Sequence, residues 1–448
     1  MVVGNPCIND TRVIKEAEAL AIAGYRVVVL CARHPGIADQ ERSAEGVEYY
    51  RVEMNNFEER AVDLPWLLST VLFALKLLQR VASTVSFARN LLNRVLDRVA
   101  PIAAAGAKAV AARLRQKSLR NWIMVARRFA ASHLINWLRY RCIAAEVARI
   151  RPHLIHVHDL APLPAAARAA RAAAVPLVYD AHELETHRNG SSAFNRWLAW
   201  LAERRYVGQV AAVITVSDSI ADHLARTYRI TRPLVVLNSP DIDRAPPPSS
   251  SDVRAACHLG AETPLAVYVG KVTIGRGLEQ LVDALRYWPD GHVALLGPRV
   301  ESVTSALRLQ AETLGVLARL HFVDSVAPNA VVSFIRGADL GVIPIQDVCL
   351  SYRYAMPNKL FEMLLAGLPI AVADLPEMRA VVQRERVGAV MDQTDPQAIA
   401  RALAEVYARR AALRPEPARF EQLVRLYAWA PQAEKLFALY RRLLPVAA

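Results

Sequence analysis

The sequence predicts an α/β protein with two Rossmann-like, doubly wound domains that face a central cleft. Three observations indicate this fold class. Short β-branched runs alternate with Ala/Leu-rich helical stretches along most of the chain. A Pro/Ser-rich segment, 239–252, separates these runs into two sets. The length of 448 residues allows each set to bury a core of its own.

The first domain opens with a short apolar segment, Met1–Val3, which predicts a shortened first strand. Asp10 can cap a helix that begins near Thr11, and Gly24 can end it. Because the first strand is so short, we expect either that translation starts several residues earlier or that the sheet tolerates the shortened strand. Five more strands are predicted, at Tyr25–Cys31, Leu154–His158, Pro176–Asp180, Ala212–Val216 and Pro233–Leu237.

A second set of strands follows the Pro/Ser-rich segment. The last predicted helix, around Pro431–Leu444, has little of the second domain left to cover, so we expect it to pack back on the first. The predicted organisation is a first domain 1–240, a linker 241–252, a second domain 253–428 and a returning helix 429–448. The strands predicted in the second domain are Pro264–Gly270, His292–Gly297, Leu320–Val323, Leu340–Ile345, Pro369–Asp374 and Gly388–Met391.

Positive charge is concentrated in one segment of the first domain. The whole chain has a net charge of +13, and residues 60–151 hold 17 Lys and Arg against three acidic residues. Trp, Phe and Leu alternate with these cations, as in basic amphipathic helices that lie on anionic membranes. We predict a basic amphipathic helical insertion at about 60–145 that contacts an anionic membrane surface. A solvated basic face and a nucleic-acid-binding surface are the alternatives.

The composition argues against several classes of protein. With 54% hydrophobic and 22% charged residues, the chain is too apolar for disorder and too charged for a polytopic membrane protein. Its five cysteines lie far apart without a C-x-x-C pair, which disfavours a disulfide framework or a thiolate zinc site. Charged residues interrupt the N-terminus before an apolar signal region can form. We expect a cytoplasmic protein, peripheral on the cytoplasmic face of the membrane.

The first candidate site in the second domain is a glycine-rich turn. Gly270-Lys271 closes a predicted strand, and Gly275-Arg276-Gly277 opens the next helix. Glycines let backbone approach a ligand, and a helix N-terminus attracts anions. With two cations beside it, the turn predicts a diphosphate cradle. An ordinary strand–helix turn with solvated cations is the alternative, and neither a P-loop nor a G-x-G-x-x-G pattern is present.

A second candidate site lies in the segment 357–369. Pro357 can start a helix and Gly367 can end it before the next strand. Glu362 lies among apolar residues, so its carboxylate needs a partner. Paired sugar hydroxyls are one candidate partner, because a carboxylate can accept two hydrogen bonds. A salt bridge with Lys359 or Arg379 is the other.

Histidines lie at or just after the ends of two predicted strands of the first domain. His156 and His158 alternate with one residue between them, so they point to the same face of a strand. This spacing can bind a metal, but no further ligand is evident, and we expect no metal. We instead interpret His156 as a core residue and His158 as a residue of the cleft. His182 follows the next strand in the run Asp180-Ala181-His182-Glu183.

The order and spacing of these segments resemble the retaining, GT-B-type glycosyltransferases of family 4. The resemblance covers nearly the whole chain apart from roughly 60–140. UDP-GlcNAc 2-epimerases share this fold, so the fold alone leaves an epimerase as an alternative. The segments that carry the resemblance are NDTRVIKEAEALAIAGYRVVVL, HLIHVHDL, LVYDAHE, VITVSDSI, VGKVTIGRGLEQLVDAL and MPNKLFEMLLAGLPIAV.

The resemblance implies roles for the candidate residues. Lys271 and Arg276 would hold the donor diphosphate, and His182 would face the donor sugar near the bond that breaks. Glu362 would bind the donor ribose, at the helix whose N-terminus faces the phosphates. The remaining donor-binding candidates are Gly270, Gly277, Asn358, Lys359 and Asp347.

One departure from the family pattern concerns the donor sugar. The first glutamate of the family's E-x7-E signature falls at Tyr354, and Asp347 is a candidate to replace its carboxylate. This departure leaves a nucleotide-sugar-binding protein without transferase activity as an alternative. The expectation is a retaining, metal-independent hexosyltransferase of cell-envelope polysaccharide synthesis. It would use no cofactor and no nucleic acid, with a nucleotide-sugar donor and a glycan or lipid-linked acceptor.

Overall fold

A computed structural model describes residues 1–8, 10–52, 139–244 and 252–444. These residues form two α/β domains built on parallel sheets, as the sequence predicts. Most of the predicted basic insertion, 60–138, lies outside the described residues, as does part of the linker, 245–251. Within the described ranges, no helix is both long and apolar enough to span a bilayer.

The first domain's strands form two hydrogen-bonded groups that Val2 joins. One group has the order β1-β3-β2 and the other the order β4-β5-β6-β7. Val2 bridges Leu30 of the first group and Val157 of the second, so the shortened first strand occupies the centre of a continuous sheet. The strands are β1 Val28–Ala32, β2 Gln40–Arg42, β3 Glu48–Val52, β4 Ile155–His158, β5 Leu177–Ala181, β6 Ala212–Thr215 and β7 Leu234–Val235.

The second domain contains one parallel sheet of six strands. Its order is β10-β9-β8-β11-β12-β13, the order of a doubly wound nucleotide-binding fold. Its strands are buried on both faces, which explains why they read as nearly continuous apolar runs in the sequence. The strands are β8 Leu265–Val269, β9 His292–Leu296, β10 Leu320–Val323, β11 Leu340–Ile343, β12 Ile370–Ala373 and β13 Gly388–Met391.

Helices connect the strands in both domains. A helix also covers residues 139–150, directly after the undescribed segment, and buries Ile143 and Val147. The other first-domain helices are Thr11–Ile22, Leu163–Ala173, Ala193–Tyr206 and Asp218–Tyr228. The helices that follow in the chain are Val253–Ala256, Leu278–Ala284, Glu301–Thr313, Val331–Ile335, Leu350–Arg353, Asn358–Leu365, Pro376–Glu385, Pro396–Ala408, Arg410–Leu413, Pro417–Tyr427 and Trp429–Leu443.

The last of these helices packs on the first domain. Leu436 and Leu439 join the apolar cluster that contains Val13 and Leu20 of the helix Thr11–Ile22. The Tyr440 hydroxyl lies 2.9 Å from Nδ1 of His156 on β4. The end of the chain therefore belongs to the core of the domain in which the chain begins.

Candidate active site

The strand order places the candidate residues at the edges where α/β sheets bind ligands. In a doubly wound sheet, ligands bind outside the carboxyl ends of the strands, where the connections diverge. In the second domain this point lies between β8 and β11, and Gly270 directly follows β8. In the first domain it lies between Val2 and β4, and His158 ends β4.

Gly270 and Lys359 lie in contact at the end of β8. Gly270 has φ +128°, a backbone conformation that favours glycine, and a Cβ there would lie 2.9 Å from the Lys359 ammonium. The ammonium lies 3.8 Å from the centre of the Tyr268 ring. Burial, and then the nearby Arg276, lower the pKa of Lys359 well below its ordinary value. A bound anion would favour the charged form again, because opposite charge raises the pKa of an ammonium.

Arg276 is the second cation of this turn. Its guanidinium stacks 5.0 Å from the centre of the Tyr352 ring, and its buried Nε has no hydrogen-bond partner among the described residues. Gly277 has φ +75°, and a Cβ there would collide with the Pro344 carbonyl. The side chain of Lys271 is exposed instead. The buried cation next to Gly270 is thus Lys359, from the helix Asn358–Leu365.

Glu362 faces a cavity from the helix Asn358–Leu365. The cavity has a volume of about 480 Å³, and Asn358 also lines it. Burial raises the pKa of Glu362, although Lys359 and Lys15 oppose the shift. The predicted alternative of a salt bridge with Arg379 is not formed, because Arg379 pairs with Asp374. Within the described ranges, the Glu362 carboxylate forms no hydrogen bond or ion pair, so it is available to ligand hydroxyls.

Lys15 also lines this cavity, although no motif in the sequence pointed to it. Its ammonium donates to Oδ1 of Asn238 at 2.9 Å, and burial together with Arg12 lowers its pKa to about 8. Its position on the helix Thr11–Ile22 carried no signal beyond a charge next to apolar neighbours. The other lining residues are Thr11, Ile14, Glu18, Pro240, Asp241, Arg244, Pro328 and Asn329.

His182 lies just beyond β5 between two carboxylates. Its Nδ1 is 3.3 Å from Asp159, and its Nε2 is 3.3 Å from Asp180. Its Nε2 is also 3.2 Å from Nδ1 of His158. Burial alone would lower the pKa of His182, but Asp180 and then Asp159 raise it to about 9. The side chain is 19% exposed, so this charged ring borders the cleft.

A buried ion pair lies behind His182. Arg12 Nε and Nη2 donate to the Asp180 carboxylate at 2.7 and 3.0 Å, and Nη1 donates to the Val236 carbonyl at 2.9 Å. Both side chains are almost fully buried. Burial would raise the pKa of Asp180, yet Arg12 and then His182 hold it well below its ordinary value.

Among the described residues, one group near this ion pair has potential metal-ligating atoms close to one another. The ligand atoms of Glu16, His156, His158 and Asp180 lie within 4.8 Å of one another. Arg12 forms an ion pair with Asp180 at 2.7 Å, and its Nε also lies 3.1 Å from Glu16. Because the guanidinium already supplies positive charge there, we interpret the group as a charge network.

Tyr354, at the position of the missing glutamate, contacts the first domain. Its carbonyl accepts a hydrogen bond from the Ser217 hydroxyl at 2.9 Å, and its ring lies 6.3 Å from the His223 ring. Asp347, the candidate replacement, is held by Arg353 through bonds of 2.6–3.1 Å. A ligand would have to compete with that guanidinium for the Asp347 carboxylate.

Two α/β domains with doubly wound, mostly parallel sheets are the GT-B fold. The glycosyl transferase 4-like domain matches residues 11–240, and the glycosyl transferases group 1 domain matches residues 263–409. The chain therefore belongs to the group 1 glycosyltransferases of family 4.

Relatives and solved structures agree with this assignment. The D-inositol 3-phosphate glycosyltransferase of Mycolicibacterium gilvum is 24% identical over 282 residues, which is 60% of this chain and 61% of the relative. The sucrose-phosphate synthase of Thermosynechococcus elongatus has a TM-score of 0.69 at 16% identity, over 100% of this chain and 99% of its own. HepE from Anabaena, crystallised with UDP-glucose, has a TM-score of 0.56 at 16% identity, over 67% and 81% of the two chains.

Proposed function

We propose that this protein transfers a hexosyl group from a nucleotide sugar to a glycan or lipid-linked acceptor, with retention of configuration and without a metal. The observation that carries the proposal is the grouping of Arg276 and Glu362 with Lys359, whose ammonium lies against Gly270 at the end of β8. The two cations match a diphosphate, and the carboxylate matches the hydroxyls of a ribose.

The chemistry follows from the charge that develops on the leaving group. When the bond between sugar and diphosphate breaks, negative charge grows on the diphosphate oxygen. Fixed cations stabilise that charge with little reorganisation, and here Arg276 and Lys359 would serve this purpose in place of a metal ion. The helix Asn358–Leu365 adds backbone N–H donors at its N-terminus.

Retention is proposed from the resemblance to family 4, and the carboxylates near the cleft bear on the route by which it would occur. A double displacement needs a carboxylate nucleophile close to the anomeric carbon. Asp159 and Asp180 face His182, and Asp347 faces Arg353. We therefore propose attack on the same face within one ion pair, in which the diphosphate takes the acceptor proton.

Donor binding tests this function directly. We expect one of the UDP-, GDP- or ADP-sugars to raise the melting temperature, because a ligand that binds only the folded state stabilises it by mass action. Glu362→Ala should lose most of this stabilisation, whereas Glu301→Ala, on the exposed surface of the second domain, should keep it. If no nucleotide sugar stabilises the protein, the proposal is wrong.

A binding protein without transferase activity is the second candidate, and Tyr354 is the observation that favours it. It would be stabilised by the same donor and would release no nucleoside diphosphate, with or without acceptor. An epimerase would convert the donor sugar without an acceptor. Product analysis on the stabilising donor therefore separates the three functions.

We also propose that the basic segment at about 60–145 places the enzyme on an anionic membrane, where a lipid-linked acceptor would lie. Flotation with liposomes should recover the protein with anionic lipid and not with neutral lipid, and salt should weaken the recovery. Arg127→Glu with Arg128→Glu should reduce it, while Arg401→Glu with Arg409→Glu in the second domain should not. Equal recovery with both lipids would contradict the proposal. Salt-dependent binding of oligonucleotides would favour the nucleic-acid alternative.

A further inference from the structure

The two nitrogens of His182 have different carboxylate neighbours, which restricts the protonation state of the ring. Asp159, after β4, faces Nδ1, and Asp180, on β5, faces Nε2, each at 3.3 Å. A neutral imidazole carries one N–H and can donate to one of these carboxylates. With the proton on Nε2, the Nδ1 lone pair lies opposite Asp159. With the proton on Nδ1, the Nε2 lone pair lies opposite Asp180, and among the described groups only His158 Nδ1, 3.2 Å from Nε2 and 3.4 Å from Asp180, could donate to it. An imidazolium donates to both. The placement of the two carboxylates therefore favours the doubly protonated ring.

Arg12 fixes the position of Asp180, the carboxylate that raises the pKa of His182 most. Its bidentate contact to Asp180 at 2.7 and 3.0 Å leaves the carboxylate no freedom to turn away. The third contact, from Nη1 to the Val236 carbonyl, anchors the guanidinium to the chain just after β7. The helix Thr11–Ile22 and strand β5 thus hold Asp180 Oδ2 opposite His182.

The charges of the neighbouring groups are consistent with a charged ring. Burial raises the pKa of Glu16 to about 8, so this side chain is largely neutral at pH 7. Burial lowers the pKa of His158 to about 4, so this ring is neutral as well. The remaining charged groups are the cation Arg12 and the anions Asp159 and Asp180, and Asp10 adds a further anion near Asp159. A cationic His182 reduces this excess of negative charge, whereas a neutral His182 leaves it uncompensated.

We propose that Asp180, held by Arg12, is a positioning residue that keeps His182 as an imidazolium at the edge of the cleft. The inference rests on the proposed function, in which His182 faces the donor sugar. An imidazolium does not accept a proton, and both of its N–H groups donate to the two carboxylates. His182 therefore contributes positive charge instead of acting as a base. The proton of the acceptor then goes to the diphosphate.

NMR of the full-length protein with ¹³C,¹⁵N-labelled histidine tests this inference without any donor. The His182 signal is assigned as the one of 11 histidines that is missing in His182→Gln. We expect wild-type His182 to stay doubly protonated at pH 7.5 and to titrate near pH 9. In Asp180→Asn the pKa should fall toward or below its ordinary value of 6.5. Asp222→Asn, which removes an exposed carboxylate paired with Arg232, should leave it unchanged.

Asp159→Asn gives a second reading if Asp180→Asn does not fold, because it leaves the buried ion pair intact. It should also lower the pKa of His182. A wild-type His182 that titrates near 6.5, or a titration that neither variant alters, would overturn the inference. In the active enzyme, kcat should fall as pH rises through about 9, and in Asp180→Asn this decrease should occur at lower pH. Absence of turnover with every donor would count against the proposed function alone, because the NMR result does not depend on it.

Discussion

Arg276→Ala is expected to lower kcat by about 10²–10³-fold, the usual cost of one fixed donor to a developing oxyanion. Arg276 lies in the turn that follows β8, and Lys359, from the helix Asn358–Leu365, lies against Gly270 at the end of that strand. Both would contact the charge that grows on the leaving diphosphate. The Arg276 Nε atom is buried and has no partner among the described residues, so a ligand would satisfy it. Steady-state kinetics with the donor found by thermal stabilisation measure the effect.

Arg286→Ala is a matched control for this variant. Arg286 is exposed and stacks on Tyr287 at 5.7 Å, much as Arg276 stacks on Tyr352 at 5.0 Å. The control removes an arginine–tyrosine contact outside the cleft, so its kcat should match that of the wild type. A turnover of Arg276→Ala within about twofold of wild type would remove this residue from catalysis, since the loss of one oxyanion donor costs far more. An equal loss in both variants would indicate a folding defect instead.

The sequence predicted the two-sheet fold well because parallel strands buried on both faces are continuous apolar runs. It missed β2 and β3 because neither strand is a continuous apolar run. Gln40–Arg42 is fully exposed and polar, and Glu48–Val52 buries only alternate residues. β2 pairs antiparallel with β3 at the sheet edge, and β3 also pairs in parallel with β1. Neither strand contains a long apolar run for a pattern to detect.

The candidate site shows where sequence patterns stop being informative. Glycine spacing and helix boundaries predicted the region around Gly270 and Glu362, since these features are local. The contact between Gly270 and Lys359 joins residues 89 positions apart, and only the order of strands brings them together. Asp347 was proposed from proximity in sequence to Tyr354. The structure shows its carboxylate held by Arg353.

The buried network was also present in the sequence as a weak signal. Arg12 and Glu16 are four residues apart and flank the apolar stripe formed by Val13, Ala17 and Leu20. A pair of opposite charges beside such a stripe is usually solvated, and they were interpreted only as residues that interrupt a signal peptide. Their partner Asp180 lies 168 residues further along the chain. No local pattern reports that a strand end will supply the matching carboxylate.

Arg12→Met is expected to destabilise the protein by about 3–5 kcal/mol, because it leaves Asp180 as a buried charge without its main partner. The Arg12 and Asp180 side chains are 2% and 0% exposed, so water cannot replace the guanidinium. Arg26→Met is the matched control. It breaks the exposed pair of Arg26 with Glu48 on the same domain, which is worth about 0–1 kcal/mol. Urea unfolding followed by circular dichroism measures both variants.

The double variant Arg12→Met with Asp180→Leu separates the loss of a charge pair from the loss of packing. Removing both charges eliminates the uncompensated anion, and buried ion pairs replaced by apolar residues are often neutral or stabilising. We therefore expect the double variant to regain most of the stability that Arg12→Met loses. It should not regain activity, because His182 would lack the carboxylate that keeps its pKa raised. An Arg12→Met variant as stable as Arg26→Met would show that the buried pair does not stabilise the fold.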